Sequence, residues 1–385
     1  MNIAINCIFC QPKGGGIKEY IVNLTNNIAL QDHKNTYILY VLEDQMEYAR
    51  ELLPKNFRIK TVPFKSDFIS VVRRSLFSQR FWSKEEESEQ FDIFHSPFFH
   101  APKMKRAKLI ITVHDLRLYR YPQTYNPLRF MFLKRAVRDA IRRANQIISI
   151  SEFTKQEMIH LCCVAPEKIT VIHEAVNREA FSETPLQDYM LPKEYAEILQ
   201  GRILFSLGHI EPRKNYPKLI EAFRKLKEKT GYEDLKLVIA GKKYVDYKST
   251  IKLIEETPDV IYLDFIPREL LLWLYKNAVL FVFPSTYEGF GFPPLEAASL
   301  GTLSAVSNVS SIPEVCGDCV FYFNPNSISS MTETINDALN NQEERFKKKS
   351  LLEAQLNKFS WNRNAAETIK VYERMNPSKQ SSEVS

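Results

Sequence analysis

The sequence predicts an α/β protein made of two doubly wound, Rossmann-like domains. Three observations carry this. Short apolar runs alternate with segments of helical periodicity along most of the chain, a glycine turn follows the first strand of each half, and 385 residues suffice for two substantial cores. Residues 2–9 form an apolar run, Gly14, Gly15 and Gly16 follow, and then Ile17, Tyr20, Ile21, Leu24 and Ile28 recur at helical spacing. Strand, glycine loop and helix together form the opening unit of an open, mostly parallel sheet. Three of only eleven glycines are consecutive here, so Gly15 and Gly16 are candidates to meet a ligand as well as to turn the chain. A purely structural loop stays open as an alternative. A dinucleotide fingerprint does not fit, because Glu19 stands where GxGxxG needs its third glycine.

Composition sets the outer bounds. With 44% hydrophobic and 25% charged residues the chain has an ordinary globular composition. Its net charge of +6 is not gathered in a basic tail, so nucleic acid is not the expected partner, while anionic sugar nucleotides or lipids suit a mildly basic surface. No run of eighteen apolar residues occurs, and MNIAINCIFC lacks both a leading positive region and a small-residue cleavage site; a cytoplasmic location is expected. The cysteines fall as Cys7/Cys10, Cys162/Cys163 and Cys316/Cys319. The two CxxC pairs lie far apart, and Cys7 and Cys10 read as part of a strand whose positions three apart face opposite sides, so buried free thiols are expected rather than a zinc site.

In the first half, strands are expected at 36–42, 57–62, 92–95, 109–113, 146–150 and 169–172. Helices are expected at 45–53, 67–82, 128–145 and 155–162, the last opened by Ser151 as N-cap. The acidic run 84–89 reads as a solvated loop or helix end. His114-Asp115 stands at the carboxyl end of the 109–113 strand, where ligands gather in open sheets; a core histidine satisfied by backbone is the other reading. His95 and His100 flank Pro97-Phe98-Phe99 in a loop, where acceptor binding and simple packing are both open. The 128–145 helix carries an apolar stripe and six arginines or lysines, among them Arg135 and Arg138. It reads as a packed surface helix with a solvated cationic face, and peripheral contact with an anionic membrane also fits.

The second half opens with a strand at 201–207, and strands follow at 235–240, 260–263, 279–283 and 320–323, with helices at 328–340, 343–359 and 364–375. Gly208 turns the chain after the first of these strands. Arg213 and Lys214 come next, ahead of Asn215 as N-cap to a helix at Tyr216-Pro217. Two cations at a helix start oppose its dipole, so something anionic is expected beside them. Residues 284–318 then place Glu288 and Glu296 eight positions apart, separated by a mobile Gly289-Phe290-Gly291 loop and a Pro293-Pro294 helix opener. Such glycines let backbone amides approach a phosphate, and Glu296 would fall in the first helical turn, able to accept hydrogen bonds from a sugar diol. The spacing alone also fits a solvated Glu288 and a Glu296 that merely favours a helix start.

The run EGFGFPPLEA, followed by Gly301-Thr302, Ser307-Asn308, Ser310-Ser311, Pro313-Glu314-Val315 and Gly317-Asp318, resembles the donor-binding segment of the family 4 glycosyltransferases, retaining enzymes that use a nucleotide-activated sugar. Leu303 stands where that family usually has proline, Ser299 where methionine is common, and His209 where many members carry arginine. The resemblance implies the GT-B architecture, in which two domains face across a cleft, the second holding the nucleotide and the first the acceptor. It implies a catalytic set of Glu288, His114, Arg213 and Lys214. Glu288 would orient the sugar, His114 lie against it, and Arg213 and Lys214 grip the diphosphate. Donor binding would fall to Gly15, Gly16, Gly208, Arg213, Lys214, Gly289, Phe290, Gly291, Leu295 and Glu296, the last holding the ribose. Substitution at the front face of the sugar is implied.

No Asp-x-Asp occurs, so neither a metal nor another cofactor is expected; the nucleotide sugar is the substrate. Residues 1–180 are expected as the acceptor-side domain, 181–200 as linker, 201–358 as the nucleotide-sugar domain, 359–376 as a helix returning to the first domain, and 377–385 as a disordered tail. GHIEPRKN, HEAVN and TVHDL look most like the mannosyltransferase branch of surface-polysaccharide synthesis, which implies GDP-mannose as donor and a glycan or polyisoprenoid-linked acceptor at the inner face of the cytoplasmic membrane. A sugar-nucleotide epimerase of the same architecture and a non-catalytic sugar-nucleotide-binding protein remain as alternatives.

Overall fold

The computed structural model describes residues 1–12, 14–66, 68–99, 101–178 and 191–375, side chains at 67–77 and 194 being left aside. The chain divides into two compact units, Met1–Ala175 together with Ser360–Ser385, and Val176–Phe359. The first unit holds seven strands: β1 (Asn2–Asn6), β2 (Thr36–Leu42), β3 (Arg58–Val62), β4 (Ile93–Ser96), β5 (Lys108–Val113), β6 (Gln146–Ser149) and β7 (Ile169–Val171). They pair in the order β3-β2-β1-β4-β5-β6-β7, parallel throughout. The inner strands are buried on both faces, which is why β2 and β5 read as continuous apolar runs instead of alternating ones. Helices α1 (Gly15–Gln31), α2 (Met46–Leu52), α3 (Phe68–Glu89), α4 (Arg117–Arg120), α5 (Pro127–Arg143) and α6 (Glu152–Cys162) connect them.

In the second unit β8 (Arg202–Leu207), β9 (Leu235–Ala240), β10 (Val260–Leu263), β11 (Leu280–Phe283), β12 (Ser304–Ser307) and β13 (Phe321–Phe323) pair as β10-β9-β8-β11-β12-β13, again all parallel. The strand order reverses between β8 and β11. In open sheets a ligand crevice lies outside the carboxyl ends at such a point, and here the segments that leave those two ends are Gly208–Asn215 and Pro284–Gly291. β12 was not expected from the sequence. It is four residues long, two of them serines, and its letters sit inside the donor-type segment.

The last helix, Trp361–Arg374, buries Trp361, Asn364, Ala365, Thr368, Val371 and Tyr372 at helical spacing and packs along α1. Its first turn is capped by Ser360.

Several expectations need correction. The acidic run 84–89 is the continuous end of α3, and it is not simply solvated: Glu86 is buried and accepts backbone N–H bonds from Lys105, Arg106 and Ala107 at 2.7–3.0 Å. Glu85 and Glu89 bind Lys60 of the edge strand β3 at 2.5 and 3.0 Å. Within the expected linker, Lys193–Ile198 is a helix; residues 179–190, His100 and the tail 376–385 lie outside the described residues. β1 ends at Asn6, so Cys7 and Cys10 occupy a turn, closed by the Cys10 N–H donating to the Cys7 carbonyl at 2.8 Å. Of the expected buried thiols, Cys162 is half-buried at the end of α6, and Cys163, which ends that helix in the left-handed conformation, is exposed.

Candidate functional site

At the carboxyl end of β8, Pro212–Lys214 forms one 3₁₀ turn, and Asn215 enters the next helix, Tyr216–Lys227, in the left-handed region at φ 57°. Asn215 is the N-cap by position, but its side chain does not cap. It donates instead to the Pro325 carbonyl at 2.8 Å, tying this segment to the one after β13. The tight turn at Gly208 makes room for Lys214, since a methyl group added there would stand 2.8 Å from Lys214 Cε. Lys214 is buried, its ammonium 4.8 Å from the centre of the Phe283 ring.

From β11 comes the partner. Glu288 Oε1 lies 2.7 Å from Arg213 Nη1 and 2.7 Å from Lys214 Nζ, while Arg213 Nε faces Glu211 Oε1 at 2.8 Å. Two carboxylates and two cations thus share one mostly buried spot. The anion expected beside Arg213 and Lys214 is supplied by the chain itself. Burial alone would raise the Glu288 pKa, but Arg213 and then Lys214 hold it down to about 2, so the group is ionised across the working range. The backbone is fixed as firmly: Thr286 donates to the Arg213 carbonyl through both its N–H and its hydroxyl, at 2.8 and 3.0 Å, and Arg213 Nη1 donates to the Tyr287 carbonyl at 3.1 Å.

The Gly289-Phe290-Gly291 segment is anchored and not a mobile loop. All three residues are buried, the Ser311 hydroxyl donates to the carbonyls of Glu288 and Phe290, and Phe290 packs on Phe292 and Phe359. Gly291 takes φ 98°, a conformation costly for any side chain, and opens the helix Phe292–Ser299. Glu296 is the fifth residue of that helix, past the first turn where the sequence placed it, because the helix begins at Phe292, ahead of the Pro293-Pro294 opener. Its carboxylate accepts from the Tyr275 hydroxyl at 2.6 Å. Leu295 is buried in the core.

Gly15, Gly16 and His114 belong to the first unit. Gly15 opens α1 at φ 57° with open space around its α-carbon. His114 follows β5 and uses both ring nitrogens: Nδ1 lies 3.0 Å from Glu174 Oε1 and Nε2 lies 2.8 Å from the Pro97 carbonyl oxygen. A carboxylate and a carbonyl oxygen both accept, so this setting favours the doubly protonated ring. Burial opposes the charge, yet Glu174 raises the pKa above the ordinary value. His95 behaves in the opposite way. Buried between the Tyr372 hydroxyl at 2.7 Å and the Thr112 hydroxyl at 2.9 Å, it is pushed down to about 3, first by burial and then by His114, and stays neutral.

The sequence missed Glu174, Glu211 and Tyr275 as partners. Glu211 could have been found, since an acid two positions before an exposed-looking Arg-Lys pair at a helix start is the nearest candidate counterion. Glu174 and Tyr275 carried no such signal, the first lying in a connection and the second in an apolar helical run. The His114–Glu174 pair has a testable consequence. A raised histidine pKa stabilises the fold fully below about pH 6.5, and the increment is lost as pH rises through the folded-state value. Glu174→Gln should therefore cost about 1.5–3 kcal/mol at pH 5.5 and progressively less at alkaline pH, read by urea unfolding, with the His114 ring titrating lower by NMR. Equal losses at both pH values would refute the charged pair.

Residues 14–180 match Glycosyltransferase Family 4, and residues 191–350 match Glycosyl transferases group 1. The chain is 30% identical over 284 residues to O-antigen chain mannosyltransferase B of Escherichia coli, across 73% of this chain and 74% of that one. It is 32% identical over 251 residues to serotype-specific mannosyltransferase WbdA of Escherichia coli, across 62% of this chain and 30% of that longer protein. In fold it is similar to Anabaena HepE in complex with UDP and glucose, with a TM-score of 0.72 at 15% identity, covering 97% of this chain and 100% of that one. Two parallel Rossmann-like sheets, a donor-type segment at the switch point of the second, and these likenesses together show that the chain belongs to the family 4 glycosyltransferases of GT-B fold.

Proposed function

We propose that this chain is a retaining mannosyltransferase that moves mannose from GDP-mannose to a hydroxyl of a glycan or polyisoprenoid-linked saccharide, in surface-polysaccharide or O-antigen synthesis at the inner face of the cytoplasmic membrane. The observation that carries the reading is the grouping of Arg213, Lys214 and Glu288 at the switch point of the second sheet. In the reaction the bond from the anomeric carbon to the diphosphate oxygen breaks, a bond to the acceptor oxygen forms on the same face, and the acceptor proton passes to the departing phosphate. Negative charge grows on the diphosphate. Preorganised cations in a site sheltered from water are what lowers such a barrier, and Arg213 and Lys214 fill that role.

Glu288, ionised and rigidly placed, accepts hydrogen bonds from sugar hydroxyls. The backbone amides of Gly289 to Gly291 and the turn at Gly208 contribute to the phosphate cradle, and Glu296, oriented by Tyr275, accepts from the ribose. With both its nitrogens engaged, His114 is held in place and does not serve as a proton shuttle. The mannose assignment is supported by the names of the Escherichia coli relatives.

The test is incubation with a panel of nucleotide sugars, scoring free nucleotide. Release of GDP from GDP-mannose, stimulated by a glycan acceptor, supports the reading. Release of UDP alone overturns the mannose assignment, an isomerised donor without free nucleotide indicates an epimerase, and thermal stabilisation by nucleotide without turnover indicates a binding protein.

A further inference from the structure

The helix α5 presents two faces that differ in kind. One carries Val137, Ala140 and Ile141 into the core of the first unit, with Phe130 and Leu133 packed at its margin. The other runs through Leu128, Met131, Arg135, Arg138 and Arg142, spaced three and four residues apart, so these side chains form a single stripe along the helix. At its first end the stripe is apolar and bare: Leu128, Met131 and the adjacent Phe132 are 79%, 66% and 58% exposed. That is three of the eight large apolar side chains exposed among the described residues, within five positions. Scattered surface apolar residues need no explanation, but a cluster rimmed by cations does.

Beside this stripe lies a groove of about 1160 Å³. Lys103, Lys134, Arg135, Arg138, Arg142 and Lys168 line it, against the single acid Asp139. Asp139 is already engaged by Arg142 and Arg143, at 3.3 and 2.8 Å. Lys168 is engaged too, donating to the carbonyls of Ile141 and Arg142 at the end of α5. Arg135 and Arg138 are left without an acidic partner among the described residues. The expectation of a packed helix with a merely solvated cationic face accounts for these arginines. It does not account for the bare apolar turn ahead of them.

We propose that the α5 stripe and its groove dock on the surface of an anionic phospholipid bilayer, with Leu128, Met131 and Phe132 entering the headgroup layer and Arg135, Arg138 and Arg142 meeting lipid phosphates. Charge complementarity decides the occupant. An apolar turn followed on the same helix face by three arginines, of which only Arg142 has an acidic partner, matches a surface that offers phosphate at one depth and hydrocarbon just beneath. A nucleic acid would use the cations and leave the apolar turn in water. No helix among the described residues is long and apolar enough to cross a membrane, so the contact is a surface one.

The test is sedimentation of the full chain with vesicles of phosphatidylethanolamine and phosphatidylglycerol, against vesicles of phosphatidylcholine. Binding to the anionic vesicles at least about tenfold tighter is expected, weakening as salt rises and the charges are screened. The double variant Arg135→Glu/Arg138→Glu should lose the preference for anionic vesicles. Met131→Ser/Phe132→Ser, at exposed positions and with an unchanged melting temperature, should weaken binding to them severalfold. Equal binding to both vesicle types, retained preference in the double arginine variant, or self-association of the chain without vesicle affinity would each overturn the proposal. Transfer to a water-soluble acceptor should be unchanged in both variants, so the membrane result and the sugar-transfer reading stand or fall separately.

Discussion

Lys214→Ala is expected to slow transfer from the nucleotide sugar by roughly 10²–10³-fold, the loss typical when one preorganised group facing developing charge is removed. The reason lies in its setting. The ammonium is buried, held 2.7 Å from Glu288 Oε1 and against the face of Phe283, so no solvent-borne cation can replace it at the same point. Gly208→Ala removes no charge, yet its methyl would stand 2.8 Å from Lys214 Cε and displace the stem, so a part of the same loss is expected. Steady-state nucleotide release reads both. A Lys214→Ala protein that turns over at the parent rate would remove the diphosphate from this spot and end the proposed mechanism.

Glu288→Gln should separate binding from turnover. The carboxylate and a nucleoside diphosphate compete for the same two cations, so the variant should bind free GDP more tightly, by about tenfold or roughly 1.4 kcal/mol. It should transfer sugar about 10²-fold more slowly. Without ligand it should also be less stable, by about 3 kcal/mol at neutral pH, because Arg213 and Lys214 lose a buried countercharge and only Glu211 remains. The pH dependence follows from the depressed pKa. Stability contributed by Glu288 is present above about pH 4.5 and is lost as pH falls through about 2, so the parent and variant curves should converge in acid. Isothermal titration with GDP and urea unfolding at several pH values measure these effects. Weaker GDP binding in the variant would show that Glu288 does not compete with the diphosphate.

Much of this was readable from the letters, and what was not has a physical cause. The alternation of buried strands and amphipathic helices is written in periodicity, so β2, β9 and β10 fall where expected to the residue. β12 escaped because four residues including two serines carry neither period, and only pairing with β11 and β13 makes them a strand. The cation pair and its need for an anion were legible from helix electrostatics. That Glu288 and Glu211 would supply the anion was not, since this depends on two loops from strands far apart in sequence meeting at one edge of the sheet. Composition alone reads the glycine loop between the two glutamates as mobile. Its rigidity comes from Ser311 and Phe359, residues twenty or more positions away.

The helix Trp361–Arg374 gives the first unit a particular order of completion. Tyr372 supplies the hydroxyl against His95 of β4, and Trp361 packs on Tyr20 of α1, so two buried side chains of the first unit find their partners only in a helix that follows the second unit in the chain. During vectorial synthesis a ribosome must emit the entire second unit before the first can close. The usual sequence, in which an amino-terminal domain finishes while the next is still being translated, is unavailable to this chain. The growing polypeptide therefore carries an uncovered stretch of α1 until the helix Trp361–Arg374 emerges.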